Sequence, residues 1–202
     1  MPRKARQIII SQNTLYHVVS RGNNQQKIFR KAQDFKKFLK IIKKTKEQYP
    51  FYFYSYSLLP NHYHLQIETQ ETPISKIMHK INFLYAIYFR KRYKGSGHLF
   101  QERFFCKAIN KDSYFWELGA YINLNAVKAK LTKKPENYKW SSCLFYYKKD
   151  YNENLIDQKK FLEYIDEDFE KARRIYLKFI EERLKENDKS QKLPSFIDEK
   201  TI

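Results

Sequence analysis

A chain of 202 residues is long enough to bury a core and suits one domain with an extension rather than two compact domains. Its 40 Lys and Arg against 22 Asp and Glu leave a formal charge of +18, which favours a polyanionic partner through phosphate neutralisation and counterion release, with nucleic acid foremost. No apolar run approaches the roughly 20 residues of a spanning helix, and the distant Cys106 and Cys143, outside any CxxC pair, read as free buried thiols rather than as a zinc site or disulfide framework.

The N-terminal "MPRKARQIIISQNT" is basic, but its three isoleucines fall short of the ~7 apolar residues of a signal-peptide core. The expectation is a cytoplasmic protein. "LYHVVSRG" alternates as a short strand and runs into the polar turn "NNQQKIF". "RKAQDFKKFLKIIKKTKEQY" spaces Phe35, Phe38, Leu39, Ile41 and Ile42 as an amphipathic helix that Pro50 ends. The aromatic strand "FYFYSYSLLP" follows, and a "PN" turn joins it to "NHYHLQIET" as a hairpin.

Thr72 and Pro73 open a second long helix, "TPISKIMHKINFLYAIYFRKRY". "LFQERFFCKAI" reads as a fourth strand and "KDSYFWELGAYINLNAVKAKL" as a third helix. The order β-α-β-β-α-β followed by a helix is the α+β, ferredoxin-like (RRM-like) arrangement around a central antiparallel sheet. Residues 1–150 form this domain, and 151–202 form a charged helical extension with apolar positions at Phe161, Ile165, Phe169, Ile175, Tyr176, Phe179 and Ile180.

Period-two alternation in the third strand puts Tyr63, Leu65 and Ile67 on one face and His62, His64, Gln66 and Glu68 on the other. The two histidines are then about 6 to 7 Å apart at their Cα atoms, near enough to converge on one ion; a solvated polar strand face is the alternative. Gln66 and Glu68 are expected to be exposed, and His17, His79 and His98 to be structural or surface residues. Two imidazoles under-coordinate an ion. Tyr121 and Asn125, one helical turn apart on the third helix, offer a phenol and an amide side by side. A phenol with pKa near 10 is a weak nucleophile, effective on a phosphodiester when a nearby divalent ion polarises the phosphate.

"YHVVSRGNN", "LLPNHYHL", "GHLFQERF" and "YINLNAVKA" occur in the order found in the REP-associated tyrosine transposases of the single-tyrosine HUH superfamily, which the chain resembles from about Leu15 to about Tyr147. The resemblance implies an HUH fold with a nucleophile helix, Tyr121 as nucleophile, and His62, His64 and Asn125 as ligands of Mg²⁺ or Mn²⁺. The family often has histidine where Asn123 stands and proline where Ala126 stands. The implied activity is a DNA transposase that nicks and rejoins single-stranded DNA beside hairpins such as repetitive extragenic palindromes, through a 5′-phosphotyrosine, as monomer or homodimer.

Arg21, Arg103 and Lys107, with Lys128 and Trp140, are candidate DNA contacts, although lone basic residues commonly just solvate a surface. With 17 Tyr and 16 Phe, some aromatics are available to stack on unpaired bases. A single-strand-binding module without chemistry and a metal-dependent nuclease using water stand as the alternatives.

Overall fold

The structure, a computed structural model, describes residues 13–94, 97–109, 111–148 and 155–187. Four strands, β1 (Leu15–Arg21), β2 (Phe51–Leu58), β3 (His62–Thr69) and β4 (Phe105–Ile109), form one antiparallel sheet in the order β2-β3-β1-β4. Helices α1 (Ala32–Gln48) and α2 (Ile74–Tyr93) are the two crossovers. This is the expected ferredoxin-like order. Four further helices follow: α3 (Lys111–Lys128), α4 (Cys143–Tyr147), α5 (Gln158–Glu163) and α6 (Phe169–Asn187).

The register sorts side chains by face, because residues directly opposite in an antiparallel pair point the same way. Val18, Tyr63, Leu65, Ile67 and Phe53 lie on the side covered by α1 and α2, where Phe38 meets the rings of Phe29, Tyr63 and Tyr85 at 4.8 to 5.3 Å. The start of α1 is fixed by buried Asp34, which accepts the backbone N–H groups of Arg30 and Lys31 (both 2.8 Å) and the hydroxyls of Tyr88 and Tyr93. Burial alone would raise its pKa, but the hydrogen bonds from Tyr93, Lys31, Arg30 and Tyr88 win and hold it below the ordinary value.

His17, His62, His64, Gln66 and Glu68 take the other face, under α3 and the helices after it. Gln66 and Glu68 are buried there, contrary to the expected exposure. Gln66 accepts Ser55 Oγ (2.7 Å) and donates to the Phe115 carbonyl (2.9 Å), while Glu68 accepts Tyr54 Oη (2.6 Å) from a bulge in β2. A carboxylate and an amide tolerate such burial when hydrogen-bonded.

β4 is shorter than the run Leu99–Ile109 predicted for it. Residues 99–104 instead wrap the end of β1, where Gln101 N–H donates to Arg21 (3.0 Å) and Phe100 bridges Gly22. Gly22 is demanded by close approach, since a Cβ there would fall 2.2 Å from the Gln26 carbonyl oxygen. Helix α2 starts at Ile74 with Pro73 as its cap rather than Thr72.

The outer edge of β2 is closed by later chain: Trp140 accepts Leu58 N–H, Ser142 bonds Tyr56, and Asp157 bonds Phe53 through both backbone N–H and carboxylate while pairing with Lys46 at 2.6 Å. Phe161, Tyr176 and Ile180 are buried, so the described part of the extension packs into the core. Of the other apolar positions in the extension, Phe169 and Ile175 are exposed. Cys143 is a buried free thiol, whereas Cys106 is only half-buried.

Candidate active site

β1, β3 and α3 meet at a histidine–tyrosine cluster. The Tyr121 ring lies 5.8 Å from His64 and 5.9 Å from His17, nearly perpendicular to each, and His62 lies 5.1 Å from His64. Asn125, one turn after Tyr121, donates to the Tyr121 carbonyl at 3.1 Å and, like Tyr121, is buried. The structure thus brings Tyr121 against His64 from an element remote in sequence, with His62 beside His64 and Asn125 one turn from Tyr121.

Local chain geometry places each group. The turn before β3 holds Asn61 against β1 through Gly22 N–H to the Asn61 carbonyl (2.8 Å), and the Asn61 side-chain oxygen is 2.8 Å from His62 Nδ1. Gln66 pins the first turns of α3 through Phe115. From the far side of α3, Asn123 accepts Ser142 Oγ (2.7 Å) and donates to Tyr176 Oη (3.1 Å). Asn123 therefore serves α3's attachment to the later chain, two residues round the helix from the cluster. At Gly119 a Cβ would sit 2.7 Å from Tyr176 Oη and 2.8 Å from Phe161 Cζ, so α3 and its cover approach as closely as glycine allows.

The electrostatics favour neutral imidazoles. Burial, with Lys107 nearby, lowers the His17 pKa to about 3; burial, with Arg21 nearby, lowers that of His62 to about 4. Burial and the neighbours His17, His62 and Lys128 hold His64 well below its ordinary value. Burial pushes the Tyr121 phenol up, partly offset by a hydrogen bond with Asn125. The Lys128 ammonium is 4.5 Å from the Tyr121 ring centre, and burial by surrounding protein lowers its pKa although the residue as a whole remains accessible.

A divalent ion fits this donor set. His64 Nε2 is buried without a hydrogen-bond partner; a neutral imidazole nitrogen can ligate a divalent transition ion, and an amide oxygen suits Mn²⁺ or Mg²⁺. No cluster of three His, Cys, Asp or Glu side chains suited to a metal occurs among the described residues. Half-buried His62 and accessible Lys128 mark the open side.

Of the candidate DNA contacts, Arg21 is opposite His62, Lys107 is opposite His17, and Lys128 is beside Tyr121. Arg103 is exposed in the loop before β4 rather than on a strand. Trp140 stacks on Phe35 at 4.5 Å, against α1 and away from the histidine face. His79 and His98 are exposed, as expected of surface residues. His17 is instead buried at the centre of the cluster, with Nε2 3.0 Å from His64 Nδ1. Sequence reasoning missed it and Asn61. Alternation in "YHVVS" gives the face of His17, but its diagonal placement beside His64 depends on the β1–β3 register.

The structure has the expected α+β architecture, an antiparallel sheet with a tyrosine-bearing helix over the face that carries half-buried His62 and buried His64. The family model for IS200-like transposases matches residues 10–125, and the chain belongs to that family. Its fold is similar to that of a REP-associated tyrosine transposase solved bound to a REP hairpin, with a TM-score of 0.60 and 21% identity over 73% of this chain and 86% of that one. No curated protein matches. Among the described residues no helix is long and apolar enough to cross a membrane.

Proposed function

We propose that the protein nicks and rejoins single-stranded DNA beside hairpins, with Tyr121 as nucleophile. The observation that carries this reading is the placement of Tyr121 against His64, with Asn125 one turn away, inside one chain. The hairpin-bound state of the structural neighbour supports a hairpin substrate, and the +18 charge supports a phosphate backbone in general.

Tyr121 Oη attacks phosphorus, forming a 5′-phosphotyrosine, while the P–O3′ bond breaks and the phenolic proton ends on the released 3′-hydroxyl. One phosphodiester replaces another, so rejoining by the reverse attack needs no nucleotide cofactor. Because burial disfavours the phenolate, proton loss is coupled to attack, and the Lys128 ammonium stabilises the charge that develops on the ring. His62, His64 and Asn125 would hold Mg²⁺ or Mn²⁺, which would supply Lewis acidity to the scissile phosphate. Arg21 and Lys107, flanking the histidines, hold neighbouring phosphates and align the strand for in-line attack.

The test is incubation with Mn²⁺ and end-labelled single-stranded hairpin DNA, followed by denaturing electrophoresis. A denaturation-resistant adduct that Tyr121→Phe abolishes is the expected result. Cleavage that survives the substitution would assign the reaction to water. Binding with neither cleavage nor adduct across a panel of hairpins would make the protein a binding module.

A further inference from the structure

We infer that His17 is a positioning residue: its Nε2 accepts the proton of His64 Nδ1 and so holds the His64 lone pair on Nε2, facing the site. This rests on the reading of His62, His64 and Asn125 as a metal site and adds a group that sets the state of one ligand.

The argument is one of counting protons. His17 Nε2 and His64 Nδ1 are 3.0 Å apart in nearly parallel rings (12° between planes, centres 5.2 Å apart), so between two neutral imidazoles one nitrogen donates and the other accepts. If His17 were the donor, the proton of His64 would sit on Nε2. That atom is buried and has no acceptor, and an unmet buried N–H is costly, on the order of 1–3 kcal/mol. An Nε2–H also has no lone pair to offer a cation. With His64 as donor, the hydrogen bond is kept and Nε2, unpaired in either tautomer, bears a lone pair that a cation can meet, as an N–H cannot.

His62 shows the same design independently. Its Nδ1 is 2.8 Å from Asn61 Oδ1, an oxygen that can only accept, so His62 carries its proton on Nδ1 and its lone pair on Nε2. Each histidine of the pair therefore has its own acceptor, a side-chain oxygen for the half-buried one and an imidazole for the buried one. Such partners fix ring orientation and tautomer in metal sites, and their loss typically weakens metal binding about 10- to 100-fold.

Two measurements on the full chain decide the matter. Two-bond ¹H–¹⁵N correlation spectra of the metal-free wild type should show His64 as the Nδ1–H tautomer; an Nε2–H tautomer overturns the assignment. Mn²⁺ affinity, followed by electron paramagnetic resonance, should fall about 10- to 100-fold in His17→Leu and largely recover in His17→Gln, whose amide oxygen can again accept. Wild-type affinity in a folded His17→Leu protein also overturns it. If His17→Leu does not fold, the wild-type tautomer decides alone. Should the wild type bind no Mn²⁺, the metal reading fails, while the tautomer still rules for or against His17.

Discussion

The two faces of this sheet are buried to a similar degree but are built from opposite materials. Against α1 and α2 lie Phe38, Tyr63, Leu65 and Ile67, whose aromatic and aliphatic surface needs no partner beyond close packing. Against α3 lie His17, His64, Gln66 and Glu68, each requiring a hydrogen bond or an ion to tolerate the same environment. The first face supplies stability, and the second spends some of it to hold polar groups where chemistry needs them. Burial alone does not distinguish a core from a site; the partners do.

The sharpest way to separate the faces is to remove one oxygen from the second. Tyr121→Phe should lower adduct formation by at least about 10³-fold, while its thermal melting temperature stays within a few degrees of wild type. The converse change belongs to the first face: Phe38→Ala should cost about 3–5 kcal/mol in urea unfolding, because its ring fills space among Phe29, Tyr63 and Tyr85. A similar loss of stability in Tyr121→Phe, or none in Phe38→Ala, would break the comparison.

Acid should act on the histidine face. The folded-state pKa values of His17, about 3, and His62, about 4, lie below the ordinary 6.5, so below 6.5 the unfolded chain takes up protons that the folded chain refuses. Stability present above about pH 6.5 is then lost as the pH falls towards 3, with each histidine adding a slope of up to ~1.4 kcal/mol per pH unit. Urea midpoints that fall between about pH 7 and pH 5, and fall less in His62→Gln, would bear this out. The smallest effect expected is that of Gly119→Ala, at about 1–3 kcal/mol from overpacking against Tyr176 and Phe161, read by the same unfolding measurement.

The apolar face was legible in the sequence because period-two and helical spacing report directly on Tyr63, Leu65, Ile67, Phe35 and Phe38. The pairing of His62 with His64 and of Tyr121 with Asn125 was equally plain, each lying within one element. Relations between elements were less visible. Gln66 and Glu68 were expected in solvent because alternation identifies a face without saying what covers it; α3 and α5, joined by Phe115 and Phe161 at 4.9 Å, provide that cover. Trp140 counts as a candidate DNA contact in the sequence because composition cannot reveal that its ring already stacks on Phe35.

The contact at Gly119 bears on how copies of this protein could work together. A second molecule could borrow the tyrosine helix only after prising it from Phe161, Tyr176 and the Arg183–Glu117 ion pair. The described chain from residue 155 to residue 187 thus clamps α3 over its own sheet, with Tyr121 against His64.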